Sequence, residues 1–165
     1  MGNPIEFERV LSENTTASTT MTVADILESQ LEPVIADWLS RVDILPELTA
    51  VSLNFGQRTG HLHQLLLDVI RRLRLDGDTE APLSEAASHH GDLRNEQGYT
   101  VAMVVEESRL LQVSIFSMLH KKQEHLEFRT VLPAVVTIAD EVDAQLKQQM
   151  LRFMAAGTLK GANVA

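Results

Sequence analysis

The residues best suited to chemistry lie in the stretch HHGDLRNEQGY, which spans residues 89–99. If this stretch is helical, His90, Arg94 and Gln97 occupy positions i, i+4 and i+7 and share one face. An imidazole, a guanidinium and an amide on one face could bind a polar ligand or act as a switch. The same groups could equally form the solvated side of a surface helix, as most polar helical faces do.

A carboxylate and a second arginine follow in the next predicted helix, residues 101–120. Glu106 falls in an apolar stripe of this helix, so its side chain is expected to face packing. Burying an unpaired charge is costly, which predicts a cationic partner for Glu106. Arg109, three residues on, and Arg94, across the corner between the helices, are the candidates. Such a pair suits a structural salt bridge, and a ligand-binding or switching role is the alternative.

Two glycines are expected to shape the corner between these helices. Gly91 predicts a close backbone approach or a bend, and Gly98 permits the positive φ that is common at helix C-termini. The Gly98–Tyr99 pair therefore ends the first helix, and Thr100 caps the next one. The ligand or switch candidates of this helix–corner–helix unit are His90, Arg94, Gln97, Tyr99, Glu106 and Arg109.

The histidines do not form a recognisable metal motif in the sequence. His61 and His63 are two residues apart and diverge on a helix, and the adjacent His89 and His90 diverge as well. The chain has neither an HExxH motif nor a histidine pair at positions i and i+4. Cysteines are absent too, so we expect no metal site.

A single histidine could also ligate haem, and His63 and His120 lie beside apolar residues in the sequence. Aromatic residues make up only 4% of the chain, fewer than a haem pocket generally uses. We therefore expect no cofactor, and we keep a haem-binding, globin-type sensor as an alternative.

The run HHGDLR is similar to the H-E-L-R run of histidine-kinase dimerisation helices, which makes His90 a candidate phosphoacceptor. Gly91 is inserted in this run and rotates the following acidic residue by about 100° around the helix. The chain also has no glycine-rich nucleotide loop, so it could not phosphorylate itself. A histidine phosphotransfer bundle stays a second alternative.

The composition predicts one domain that binds neither nucleic acid nor membranes. With 165 residues and few aromatics, the chain must build a single core from Leu, Val, Ile and Ala. A net charge of −9 opposes binding to nucleic acid or to an anionic membrane. No Ser-His-Asp set, paired-carboxylate cleft or phosphate loop can be found, so we expect a cytoplasmic protein that is not an enzyme.

Apolar residues at spacings of three and four predict an all-α fold, a single-domain bundle of five to seven helices with a long C-terminal helix. The helical domain is expected to span residues 22–154. A flexible N-terminal segment, residues 1–21, would precede it, and a frayed tail, residues 155–165, would follow it.

Local signals place some of the helix boundaries. Thr22 with Asp25 three residues later predicts a capping box at the start of the first helix. Pro33 is expected to kink that helix or split it in two, and Pro133 predicts a kink or a restart in the last helix.

The C-terminal segment, residues 123–154, carries more apolar side chains than one small domain needs to cover. We therefore expect it to pair with its copy in a second chain through an isologous helical interface. A stimulus would shift the packing at the corner, and the last helix would carry the displacement outward. The candidate dimer residues are Leu126, Val135, Ile138, Val142, Leu146 and Met150.

The run HGDLRNEQGY at residues 90–99, followed by Glu106 and by RLL at 109–111, is a motif of moderate specificity. Together with WLSRV at residues 38–42, it resembles the RsbRD-type N-terminal sensor domain of RsbT co-antagonist proteins and bacterial sensor kinases. The resemblance covers about residues 24–153. It implies a globin-like or bundle-type input domain that signals through a homodimer to a downstream output domain or protein partner, although no output domain follows in this sequence.

Overall fold

The computed structural model describes residues 21–75 and 80–162, with side chains described as far as residue 158. Six helices have seven residues or more, two shorter helices and a 3₁₀ turn join them, and these residues form no strand. The predicted all-α bundle of five to seven helices with a long C-terminal helix is confirmed. The helices are α1 (Val23–Ser29), α2 (Leu31–Asp43), α3 (Pro46–Thr49), α4 (Phe55–Thr59), α5 (Leu62–Arg74), α6 (Glu85–Glu96), α7 (Val101–Lys121) and α8 (Phe128–Ala162), with the 3₁₀ turn at Gln123–His125.

The first helix begins and ends where local chemistry requires. The Thr22 hydroxyl accepts the Asp25 N–H, and the Asp25 carboxylate accepts the Thr22 N–H, each at 3.2 Å, which confirms the capping box. The helix then breaks at Gln30, which caps both α1 and α2. Pro33 thereby becomes the third residue of α2, where a backbone N–H has no partner within the helix. The predicted split is confirmed. The flexible segment predicted for residues 1–21 lies almost wholly outside the described residues.

The last helix is longer than expected. It starts at Phe128, passes Pro133 without a break and continues to Ala162. The frayed tail predicted from residue 155 is therefore wrong as far as Ala162. A helix that is already formed gains one hydrogen bond for each added residue, and alanine has the highest helix propensity, so Ala155 and Ala156 extend α8 at little cost.

The core lies between α1, α2, α5, α7 and α8, and most of its side chains are aliphatic, as the composition predicts. Trp38 of α2 is the largest of the fully buried side chains. Among the described residues, no helix combines the length and the apolar character that crossing a bilayer requires.

Among the described helices, α6 and α8 form the pair with the most extensive packing. A Cβ at Gly91 would lie 2.2 Å from the backbone oxygen of Gln149, so the two backbones touch there, and the predicted close approach is confirmed. Farther along, the Asn95 amide donates to the Phe153 carbonyl at 2.9 Å. α6 and α8 are therefore held together by backbone contact and by specific bonds.

The expected dimer surface is partly used inside the chain. Ile138 and Val142 are 0% and 2% exposed and belong to the core, so they cannot also contact a second chain as predicted. An apolar stripe has the same spacing of three and four residues whether it packs in the core of one chain or between two chains. The sequence therefore could not distinguish core residues from dimer residues. The other four candidates pack partly against the core: Leu126, Val135, Leu146 and Met150.

Candidate functional site

The corner between α6 and α7 has the predicted construction. Gly98 has a φ of 81°, the conformation that glycine adopts without strain, and it follows the Gln97 cap of α6. The Tyr99 N–H then bonds to the Arg94 carbonyl at 3.0 Å, and the Thr100 hydroxyl caps α7 by accepting the Met103 N–H. The corner points the polar face of α6 at the first turns of α7.

Arg94 and Glu107 form a buried ion pair beneath this corner, with side chains 0% and 3% exposed. The Arg94 Nε bonds to one carboxylate oxygen at 2.8 Å and its Nη2 bonds to the other at 3.0 Å. The carbonyls of Gln57 and Arg58 and the Gln97 side chain accept the three remaining bonds from Arg94. This guanidinium is fully satisfied, as a buried charge must be.

The buried carboxylate is Glu107, so the prediction that Glu106 is buried is wrong. Glu106 is partly exposed and bonds to Arg109 at 2.9 Å, on the outer side of α7. One residue turns a helix by about 100°, which separates the two glutamates onto different faces. The predicted partnership of Glu106 with Arg109 is confirmed, and the partner of Arg94 is the next residue along.

Two aromatic residues complete the surroundings of Glu107. The Tyr99 hydroxyl donates to a carboxylate oxygen of Glu107 at 2.8 Å, and the Arg58 Nη1 donates to the Tyr99 oxygen at 3.2 Å. The indole N–H of Trp38 donates to the Glu107 backbone carbonyl at 3.0 Å. We call Arg58, Arg94, Tyr99 and Glu107 the charge cluster.

The protonation states within the charge cluster follow from its geometry. Burial alone would raise the pKa of Glu107, but bonds to His90 and Arg94 and the positive charge of Arg94 outweigh it and lower the pKa. Burial and the neighbouring Glu107 charge raise the pKa of Tyr99 to about 12. At neutral pH the cluster therefore holds a carboxylate and a neutral phenol.

A pair of histidines lies against this cluster. The rings of His61 and His90 stack with their centroids 3.6 Å apart, and the Trp38 ring meets His61 edge-on at 6.5 Å. The His90 Nε2 lies 3.4 Å from a Glu107 carboxylate oxygen. Burial lowers the pKa of both imidazoles, most strongly for His61. Within the described residues, the Nδ1 atoms of both rings have no hydrogen-bond partner.

The sequence did not indicate His61 as a site residue, because residue spacing relates only histidines that are close along the chain. It precedes α5, and Leu65 and Val69 follow it by four and eight residues, so all three occupy the buried face of that helix. That periodicity was the available signal. The fold places donor atoms of His61, His90 and Glu107 within 4.8 Å of one another, although the sequence predicts no metal site.

The burial of His90 contradicts one alternative. A phosphoacceptor must be reached by its phosphodonor, whereas the His90 side chain is 2% exposed and faces Glu107. The phosphotransfer interpretation of His90 is therefore wrong. The two histidines considered for haem, His63 and His120, are both exposed, and the haem alternative stays a prediction.

Comparison with known proteins adds no identification: the chain matches no family model, no curated protein and no solved structure. The resemblance to the RsbRD-type sensor domain, and the likeness to globins that it implies, stay predictions.

Proposed function

We propose that this chain is a non-catalytic signalling input domain in which the charge cluster controls the packing of α8. The observation that carries this proposal is the double role of α6. Arg94 belongs to the cluster and His90 contacts it, while Gly91, which follows His90, touches the backbone of α8 at Gln149. A change in the cluster that moves α6 must therefore move α8 or open the contact.

The charge cluster has the energetics that a switch needs. A buried ion pair depends on good geometry, and loss of one partner typically costs about 3–5 kcal/mol because the other charge stays buried. A stimulus that disturbs the Arg94–Glu107 pair would thus shift the balance between two packings of α6. α8 extends from this crossing to Ala162, and its end would pass the displacement to an output domain or a protein partner.

We include a homodimer in this proposal, on a revised surface. Phe128, Leu132 and Val136 are 76%, 54% and 68% exposed and recur every four residues, so they form one apolar ridge along α8. A groove of about 550 Å³ adjoins the ridge and is lined in part by Leu126 and Val135. In a two-fold dimer the ridge of each chain would enter the groove of the other. The absence of cysteine suits a cytoplasmic location for such a module.

Hydrogen–deuterium exchange tests the coupling between the cluster and α8. Glu107→Gln keeps the shape of the side chain but leaves the buried Arg94 charge unpaired. We expect faster exchange in α8 around Gln149 and Phe153, together with a stability loss of about 3 kcal/mol. Glu106→Gln, which removes a charge from an exposed pair one residue away, should leave α8 exchange unchanged. Equal exchange of α8 in the two variants would refute the coupling.

Light scattering tests the dimer separately. Leu132→Glu places a charge in the middle of the apolar ridge and should convert the dimer to monomers, because an unpaired charge is costly to bury in an interface. Ile44→Glu is the matched control, since Ile44 is 76% exposed and lies at the end of α2. A wild-type protein that is monomeric at micromolar concentration would rule out the dimer while leaving the α6–α8 coupling intact.

A further inference from the structure

We propose that His61, His90 and Glu107 form a binding site for one divalent transition-metal ion, with Zn²⁺ as the best fit. The three side chains are buried and come from the start of α5, from α6 and from α7. Two imidazole nitrogens and one carboxylate oxygen are a common ligand set for zinc. The inference goes beyond the proposed function, because metal binding can be measured whether or not α8 responds to it.

The distances suit a shared ion. Two ligands of a tetrahedral zinc with bonds of 2.0–2.1 Å lie about 3.3 Å apart. The His90 Nε2 and the Glu107 oxygen are separated by 3.4 Å, which is close to that spacing and lies at the long end for the hydrogen bond that the two atoms make without an ion. His61 stacks almost parallel to His90, so its ring must rotate to turn a nitrogen toward the ion.

An unsatisfied atom on His61 is available as the third ligand. Buried polar atoms normally have a partner, yet the Nδ1 of His61 has none within the described part of the chain. A cavity of about 10 Å³ adjoins both rings, with Gln145 and Gln149 on its wall. This volume admits one water molecule or one ion and excludes an organic ligand.

The outer partners of Glu107 are those that a ligating carboxylate requires. Arg94 and Tyr99 hold both of its oxygens by hydrogen bonds, which fixes the orientation of the carboxylate as the hydrogen-bond partners of metal ligands do. The charge of Arg94 opposes a dication and weakens its binding. Because two of the three ligands are imidazole nitrogens, the site favours Zn²⁺ and other nitrogen-preferring ions over Mg²⁺ and Ca²⁺, which need several oxygen ligands.

Titration of the full chain with zinc chloride, followed by calorimetry, tests the site. We expect one Zn²⁺ per chain and a loss of zinc affinity of about tenfold or more in His61→Gln. Changing a residue that only hydrogen-bonds to a metal ligand can already cost that much. The matched controls are His63→Gln and His89→Gln, because both residues are exposed histidines close to a proposed ligand. Their affinities should equal that of the wild type.

The site would be overturned if the wild-type protein bound no zinc, or if the exposed-histidine variants lost zinc binding. An ordered water would then be the occupant of the cavity. Cobalt absorption of the wild-type protein supplies a readout that needs no variant to fold. Strong visible bands of tetrahedral Co²⁺ would support the site, and the weak bands of an octahedral surface ion would contradict it. Neither result depends on α8, so the metal site and the signalling proposal can fail separately.

Discussion

At the scale of residues, the sequence predicts that α7 buries a glutamate, but it does not predict which of two adjacent glutamates is buried. Glu107 follows Met103 by four residues and precedes Leu111 by four, so it fits a buried face of α7 as well as Glu106 does. Periodicity alone does not choose between adjacent candidates on a helix with two apolar stripes. Arg94, one of the two cations predicted to pair with Glu106, pairs with Glu107 instead, because a buried charge needs a partner wherever it lies.

Glu141 offers a test of buried charge away from the cluster. Its side chain is 1% exposed, and one carboxylate oxygen accepts from Gln145 while the other has no partner among the described residues. Burial raises its pKa above the ordinary 4.5, Gln145 and Arg72 lower it, and the negative charges of Asp68 and Asp140 add to the rise. The folded protein thus binds this proton more tightly than the unfolded chain does.

The consequence is a pH-dependent gain from Glu141→Gln. The pKa of Glu141 is higher in the folded protein than in the unfolded chain. Wild-type stability therefore falls as the pH rises through these two values, because folding then requires a buried carboxylate. We expect Glu141→Gln to stabilise the protein by about 1 kcal/mol at neutral pH and to gain nothing below about pH 4. Asp143→Asn, at an exposed carboxylate on the same helix, should show no such gain. Thermal denaturation across this pH range measures both, and a gain independent of pH would contradict the reasoning.

At the scale of elements, the sequence predicts most of the fold. Capping residues, prolines and apolar spacing placed α1, α2, α6 and α7, because these signals act within a few residues of the chain. The end of α8 was missed, since Gly157 is a residue that commonly ends a helix, whereas α8 continues through it to Ala162. The neighbours of each helix were not predictable, and the α6–α8 crossing became visible only when Gly91 met the backbone of Gln149.

Gly91→Ala tests that crossing. Alanine would favour an isolated helix by up to about 1 kcal/mol, but its Cβ would overlap a backbone oxygen that has no room to move. We expect a net loss of about 1–3 kcal/mol in chemical denaturation, the usual cost of overpacking. Gly157→Ala is the control, because the new Cβ would come no nearer than 3.4 Å to the Asn95 side chain. That variant should be neutral or more stable, and an equal loss in both would disprove the tight crossing.

At the scale of the whole molecule, the long helix α8 links the buried cluster to the surface. It packs on α5, α6 and α7 over its middle and exposes Leu151 and Met154 near its end. The sequence could predict that this helix has surplus apolar residues, but not which of them the chain would cover itself. The dimer surface therefore had to be moved from Ile138 and Val142 to the ridge that begins at Phe128.

The distance between α2 and the end of α8 tests the central claim most directly. Because the chain has no cysteine, spin labels attach only at introduced sites, and Ser40→Cys and Thr158→Cys place them on two exposed positions. We predict that Glu107→Gln shifts or broadens the distance distribution measured by electron double resonance, while Glu106→Gln leaves it as in the wild type. An unchanged distribution in Glu107→Gln would contradict the claim that the buried charge cluster controls α8.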